Sequence, residues 1–532
     1  MHTISHPNRI FCQSWKTVLT TLILLSVLSS NLGLIVQVAS AAPAITISVN
    51  TTTDSNTSDN FISLREAILL VNGGTGGNGV VTGLGRALSS NETARITGGV
   101  IGSTGLAANI VFTGLAGNTT IALATGTGFP NESLPPVLTS GVVINGLNGT
   151  GLPVTIDGSG GGVPADSDIL WLGWATDTTN AIPVSNITVT NIIITGAKRY
   201  GIHLNPASTS LISNCTVTQS TSFAILIQGK FGAANGNTIQ NCTVGGNASL
   251  GIVINRPGAH HTTITGNRIG TNAAGTSAWP NTGAGLALFK GTHDNLVTGN
   301  LISGNTLQGI YLSGGVPGDF VAVSNNQITN NKIGTAANGT TALPNVQGIV
   351  FDNYVITTTV GGTSAGQGNI IAFNTESGIV VVGDNTTRNQ FRRNSIFQNS
   401  FLGIDLLDDK LPTAGVSGGT VGPNELALRP TITTAKVFGA KAAITGTASP
   451  NSTIEVFIAD PSPSGFGSGK TYCTTITANG SGAFSFFGTL ACVPGSARLT
   501  ATSTLVSGST SEFGNNILPV KLPTIFLPLL MR

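Results

Sequence analysis

The chain has 532 residues, of which 40% are hydrophobic and 8% charged, with 71 glycines and a formal net charge of +2. It carries neither a basic excess nor a basic run interleaved with aromatics, so the electrostatic footprint of a nucleic-acid-binding protein is missing; it is also too apolar and too weakly charged for a disordered chain. A length of this order calls for several domains or one elongated repeat array.

At the N-terminus, Arg9 and Lys16 precede an apolar run from Val18 to Leu28, and a second apolar patch ends in Ala39-Ser40-Ala41. This order of basic, apolar and small residues reads as a secretory signal over residues 1–41. Ser29, Ser30 and Asn31 interrupt the run before it is long enough to span a bilayer. Removal of the signal takes away two basic residues and no acidic ones, leaving 21 Lys+Arg against 21 Asp+Glu. The mature chain is then neutral, with no transmembrane segment and an extracellular or cell-surface destination.

Residues 42–95 read as an N-terminal cap. Ala44 to Val49 alternates as a strand, and "ISLREAILLVN" at 62–72 reads as a short helix. Ser63 and Glu66 have the spacing of a capping box, and Ile62, Leu64, Ala67, Ile68 and Val71 give the helix an apolar face.

Residues 96–410 are repetitive. "NRIGTNAAGTSAWPN" at 267–281 returns as "NKIGTAANGTTALPN" at 331–345, and a finer template runs through both. Copies start at Asn300, Asn369 and Asn394, looser ones at Asn191, Asn214 and Asn241, and the doubled segments add Asn267 and Asn331. Each unit holds short alternating apolar strands with Asn or Gly at the bends and no helical period. Such a unit cannot bury its own apolar face, but stacked copies can, at ~4.8 Å per rung. The expected fold class is therefore all-β: a right-handed parallel β-helix with a short capping helix and a C-terminal β-sandwich. Ile302, Ile371 and Ile396 should form one interior column, and Ile310, Ile379 and Ile404 another. Asn side chains should stack up the bends, with Gly309, Gly378 and Gly403 as tight corners. The segments 270–280 and 334–344 are matching insertions on one bend, scaffold able to edge a binding surface. Cys215 and Cys242 should stack as buried thiols rather than bond, because parallel side-chain vectors suit a disulfide poorly.

Residues 411–430, rich in Gly, Pro and Thr, read as a linker, and 431–516 as a small sandwich of antiparallel strands. Cys473 and Cys492, 19 residues apart in an exported domain, are expected to form a disulfide worth ~3 kcal/mol. The apolar tail 517–532, ending "LPTIFLPLLMR", is too short to cross a bilayer. It either packs back on the sandwich, is frayed, or serves as an envelope-sorting or retention tag.

The segment Ser63-Leu64-Arg65-Glu66-Ala67-Ile68 resembles the "CSLREA" element of secreted bacterial right-handed β-helix repeat proteins, with Ile62 in place of the leading Cys. The "IGT…GT…PN" insertions, "VGGTSAGQGNII" at 360–371 and "GIDL" at 403–406 resemble rung phrases of the same family. The resemblance implies a β-helix scaffold and an immunoglobulin-like type for the C-terminal sandwich; it implies no particular activity.

For chemistry, the outward column after the corner glycine should read His203, Leu226, Val253, Ala287, Tyr311, Val350, Val380, Asp405. It is mostly apolar, which argues against a long carboxylate-lined cleft. The richest acidic cluster is Asp352, Asp384, Asp405, Asp408 and Asp409, near Arg388, Arg392, Arg393 and Lys410. It reads as a solvated rim, with the five aspartates as calcium candidates and Asp384, Asp405 and Asp408 as catalytic candidates. His260 and His293 each precede a rung Asn by seven residues and should stack, but they lack a third metal ligand. The functional expectation is a non-catalytic surface, adhesion or glycan-binding scaffold with no required cofactor. The alternative is a polysaccharide lyase or glycoside hydrolase.

Overall fold

The computed structural model describes residues 45–73, 83–98, 108–124, 132–411, 421–460, 466–492 and 494–522. The expected signal segment, most of the linker's first half and the tail beyond 522 lie outside these residues.

One rung illustrates how the coil is built. Thr263–Thr265, Arg268–Ile269 and Leu286–Phe289 each belong to a different sheet. Each pairs in parallel register with its equivalent in the next rung: Leu296–Thr298, Leu301–Ile302 and Gln308–Ser313. Repetition of this step produces a first sheet of twelve strands, a second of ten and a third of nine. The architecture is a right-handed parallel β-helix.

Both expected interior columns form. In the second sheet Ile302 pairs with Ile333, Ile333 with Ile371 and Ile371 with Ile396; in the third, Ile310 leads through Ile349 and Ile379 to Ile404. All are buried in one continuous core. Burial removes about 1.5–3 kcal/mol of unfavourable hydration per side chain.

The bends hold ladders of asparagine. Between the first and second sheets, the Nδ2 of Asn267 donates to Oδ1 of Asn300 at 2.9 Å, and the chain of donors continues through Asn331 and Asn369 to Asn394. Between the second and third, Asn247, Asn281, Asn305, Asn345, Asn374 and Asn399 do the same. Each Oδ1 of the first ladder also accepts a backbone N–H, as Asn331 does from Asn300 at 2.9 Å. The buried backbone of a corner, which no strand partner reaches, is thereby satisfied.

Two expectations need correction. Asn191, Asn214 and Asn241 are not ladder residues; they have φ of 56°, 52° and 54° and stand one position earlier, at the left-handed corner occupied by Gly266 and Gly299 in later rungs. The interior place falls to Cys215 and Cys242, and the N–H of Cys242 donates to Oδ1 of Asn267 at 2.9 Å. Asn suits both places, because its short amide tolerates the left-handed region and also bonds along a ladder. Second, Gly309, Gly378 and Gly403 are not positive-φ corners. A Cβ on Gly309 would lie 2.7 Å from the carbonyl of Gly348, and one on Gly378 2.7 Å from that of Gly403. Contact between rungs, rather than backbone conformation, excludes a side chain there.

Both ends are closed. The helix Leu64–Asn72 starts with the expected capping box of Ser63 and Glu66, but all of its residues are buried, not one face alone. Arg65 is held by Asp54 at 2.7 Å and by the carbonyl of Ser133 at 2.6 Å. Arg86 joins Glu66 and Glu92, each at 2.6 Å, and its hydrogen bond holds Glu92 down to about 2. At the other end, a four-stranded and a three-stranded sheet form a second unit. Cys473 and Cys492 are bonded, and Cys215 and Cys242 are free and buried.

The C-terminal unit satisfies the last rung with side chains. Thr510 Oγ1 accepts from the N–H of Phe391 at 3.0 Å, Asp460 from Gln398 at 2.7 Å and Glu512 from Leu406 at 2.8 Å. Glu455 accepts from Arg392 Nε and from the N–H of Arg393, both at 2.9 Å. Arg392 and Arg393 therefore serve this junction, not the nearby aspartates.

Replacing Asn331 with Ala should lower stability by about 3 kcal/mol in denaturant unfolding, because several buried groups lose their partners. Asn330→Gly, one residue away at a left-handed corner with φ 55°, should change it by less than about 0.5 kcal/mol. Glu455→Ala should cost about 1–3 kcal/mol by leaving two part-buried donors without their acceptor, seen as early loss of the C-terminal rungs in hydrogen exchange.

Candidate functional site

The outer face of the third sheet carries the expected column. His203 pairs with Leu226, Leu226 with Val253, Val253 with Ala287, and the series runs through Tyr311, Val350 and Val380 to Asp405. Trp171 precedes His203 in register. Leu226, Val253 and Ala287 form a small apolar cluster flanked by Tyr200, Phe223, Leu250 and Phe289.

Polar chemistry collects at the N-terminal end of this face. Asp168, just ahead of the strand Leu170–Leu172, lies 2.7 Å from Nδ1 of His203. It also accepts from Arg199 Nε at 2.7 Å and Nη2 at 2.8 Å. Arg199 reaches Glu132 at 3.1 Å, and Glu132 accepts the N–H of Asp168 at 2.8 Å. His203 stacks on Trp171 with centroids 4.7 Å apart and meets the edge of Tyr200 at 5.1 Å. Its Nε2 is buried and has no hydrogen-bond partner. Nδ1 is committed to Asp168, which leaves Nε2 as an enclosed atom without a partner.

Burial and the charge of Asp168 push Glu132 up to about 8, against the opposing hydrogen bonds and Arg199. Burial also acts to raise Asp168, but His203 and Arg199 outweigh it and hold Asp168 below the usual carboxylate range. The two adjacent carboxyls are thus pushed in opposite directions, Glu132 toward its neutral form and Asp168 toward its ionised form.

Farther along the face is an open pocket of about 340 Å³. Its lining includes Asn255, Arg256, Phe289, Lys290, Tyr311 and Asp352. Phe289 and Tyr311 meet edge to face at 5.6 Å, and Tyr311 Oη donates to Asp352 at 2.5 Å. Burial, together with Asp352, pushes the Tyr311 hydroxyl above its ordinary range. Arg256 and Lys290 both engage Asp319 at the rim.

The sequence-derived acidic candidates divide. Asp405 is buried, accepts from Ser377 Oγ at 3.0 Å, and is pushed up by burial and by Asp409 and Asp408. Asp408 is raised chiefly by burial, and Lys410 pairs with Glu376 at 2.8 Å. Asp352 belongs to the pocket instead. Asp384 is exposed past the strand Ile379–Val382, beyond a turn at Gly383 with φ 88°, whereas Asp405 is fully buried on the neighbouring strand, where it pairs with Val380. Arg388 faces Glu425 at 4.0 Å. His260 and His293 do stack, with centroids 4.6 Å apart and planes 12° from parallel. His261 joins them, with its Nδ1 2.5 Å from that of His260, and Asp294 holds His293 at 2.7 Å. Burial and the neighbouring imidazoles lower His260. Among the described residues, no group of three or more His, Cys, Asp or Glu is arranged to hold a metal ion.

Comparison with known proteins is consistent with the geometry. A family model described as a right-handed beta helix region matches residues 180–353, and no curated protein matches the chain. Among solved structures, the A-module of mannuronan C-5 epimerase AlgE6 from Azotobacter vinelandii is 15% identical, with a TM-score of 0.31 over 56% of this chain and 76% of that one. A periplasmic alginate epimerase AlgG variant is 14% identical, with a TM-score of 0.36 over 57% and 68%. Tailspike protein 2 of Escherichia coli O157:H7 bacteriophage CAB120 is 12% identical, with a TM-score of 0.26 over 77% and 64%. These values are too low for an activity to pass from those proteins to this one. No described helix is long and apolar enough to cross a membrane.

Because Glu132 has a folded-state value of about 8 against an ordinary 4.5, the folded chain retains a proton that the unfolded chain releases over that interval. Its contribution is fully present below about pH 4.5 and declines as pH rises toward 8. Glu132→Gln keeps the neutral form at every pH. Thermal unfolding should show the variant gaining on the wild type between pH 5 and pH 8.

Proposed function

We propose that the protein is an extracytoplasmic β-helix scaffold that binds a polysaccharide in a pocket on the outer side of its third sheet. The observation that carries this reading is the open pocket of about 340 Å³, where Phe289 and Tyr311 offer ring faces and edges beside Asn255, Arg256, Lys290 and Asp352. Sugars present apolar C–H faces ringed by hydroxyls, and a rigid aromatic wall with polar groups at its margin matches both parts. The Cys473–Cys492 disulfide supports an oxidising destination, in keeping with the export signal read at residues 1–41.

Purified protein lacking residues 1–41 should bind at least one extracellular polysaccharide in a glycan screen, and Phe289→Ala and Tyr311→Ala should each weaken that binding about tenfold by calorimetry. A screen with no binder, or variants that bind as well as the wild type, would reject this face.

A second reading, acid–base processing of the bound glycan by a lyase or hydrolase, is favoured by one arrangement: Asp168 orienting His203, whose buried Nε2 has no protein partner and would have to be uncovered to meet a glycan, with Glu132 raised to about 8. It requires new reducing or unsaturated chain ends to accumulate with the polysaccharide that binds, and their release to fall at least a hundredfold in His203→Gln while Tyr311-dependent binding persists.

A further inference from the structure

The two copies of the duplicated segment meet on the outer face of the second sheet. Arg268 follows the ladder residue Asn267 as Lys332 follows Asn331, and Leu301 lies between them in register. Their backbones are two rungs apart, roughly 10 Å. The insertions that follow are small hairpins, bridged at Thr271–Ala278 and Thr335–Ala342. They stack through the N–H of Ala337, which donates to the carbonyl of Gly275 at 2.8 Å. Below them is a depression of about 310 Å³ lined by Arg268, Leu301, Asn330, Lys332 and Ala337 among others, with no Asp or Glu in its wall.

The two cations are placed differently. Lys332 is braced by donation from Nζ to the carbonyl of Ala337. Arg268 has a buried Nε with no hydrogen-bond partner. A buried guanidinium donor without an acceptor is unfavourable, and a planar carboxylate is the acceptor that its fork geometry fits best. Leu301, only 7% exposed, supplies an apolar floor, and Asn330 an amide at the rim. We propose that this depression binds an acidic sugar residue of a polysaccharide, its carboxylate held by Arg268 and Lys332 and its ring lying over Leu301. The site deepens the glycan reading by naming the charge of the ligand. It stands on a different sheet from the Phe289–Tyr311 pocket and rests on that reading only for the polymer.

Two measurements on protein lacking residues 1–41 test it. In calorimetry, polygalacturonate should bind at least tenfold tighter than its fully methyl-esterified form. The double variant Arg268→Gln/Lys332→Gln should lose that preference and show a shallower salt dependence, with an unchanged circular dichroism melt. Separately, acetylation of Lys332 followed by mass spectrometry should be slowed several-fold by free galacturonate but not by galactose, and the protection should vanish in Arg268→Gln. If polygalacturonate binds wild type and double variant equally, or galacturonate leaves Lys332 unprotected, the acidic-sugar site is overturned. If galacturonate protects Lys332 through Arg268 while no polymer binds, the site stands and the polysaccharide reading of the third sheet falls instead.

Discussion

Every rung of this protein must turn the chain at bends whose backbone groups are cut off from water and lie beyond the reach of strand pairing. The asparagine ladders resolve that constraint. A side-chain amide has a donor and an acceptor on one rigid plane, so each Asn can accept from its neighbour below and donate to its neighbour above. Stacking at the strand spacing brings successive amides to 2.8–3.2 Å along the Asn247–Asn399 ladder. The apolar columns drive the coil to form, but the amide ladders specify the register, because a slip by one residue would place an Asn where an Ile must pack.

With the corners settled, strands can be very short. Several hold only two residues in the second sheet, as Arg268–Ile269 does, and the inward residue still falls into its column. Outward positions are then released from the demands of folding. The third sheet uses them for Trp171, His203 and Tyr311, and the second for Arg268 and Lys332. Binding groups are spaced by the coil itself, at one or two rungs, rather than by the conformation of a long loop.

Much of this was legible in the chain. The periodic Ile positions and the bend asparagines from Asn267 onward identify the fold, and the outward column follows from it residue by residue. The one-residue error at Asn191, Asn214 and Asn241 arose because asparagine serves two adjacent positions for different reasons. The cluster of Glu132, Asp168, Arg199 and His203 was not legible: Glu132 and Asp168 precede the first recognisable repeat, and contacts across 31 to 67 positions have no local signature. Its single trace was His203 in an otherwise apolar column. Charge density near the C-terminus marks Asp384, Asp405 and Asp408 in the sequence, but it does not reveal that Asp405 is buried while Asp384 is exposed.

The closure of the two ends decides what kind of object the chain becomes. A prism of parallel rungs with bare ends is a template to which another prism can add, rung on rung, without limit. Here the final strands present their N–H groups to Glu455, Asp460, Thr510 and Glu512 instead. At the start, the edge of the first sheet ends in the two-residue antiparallel strand Ile96–Thr97. Side-chain acceptors end the hydrogen-bond series without offering a new row of strand partners, so the same ladder chemistry that would propagate a filament is terminated within a single chain.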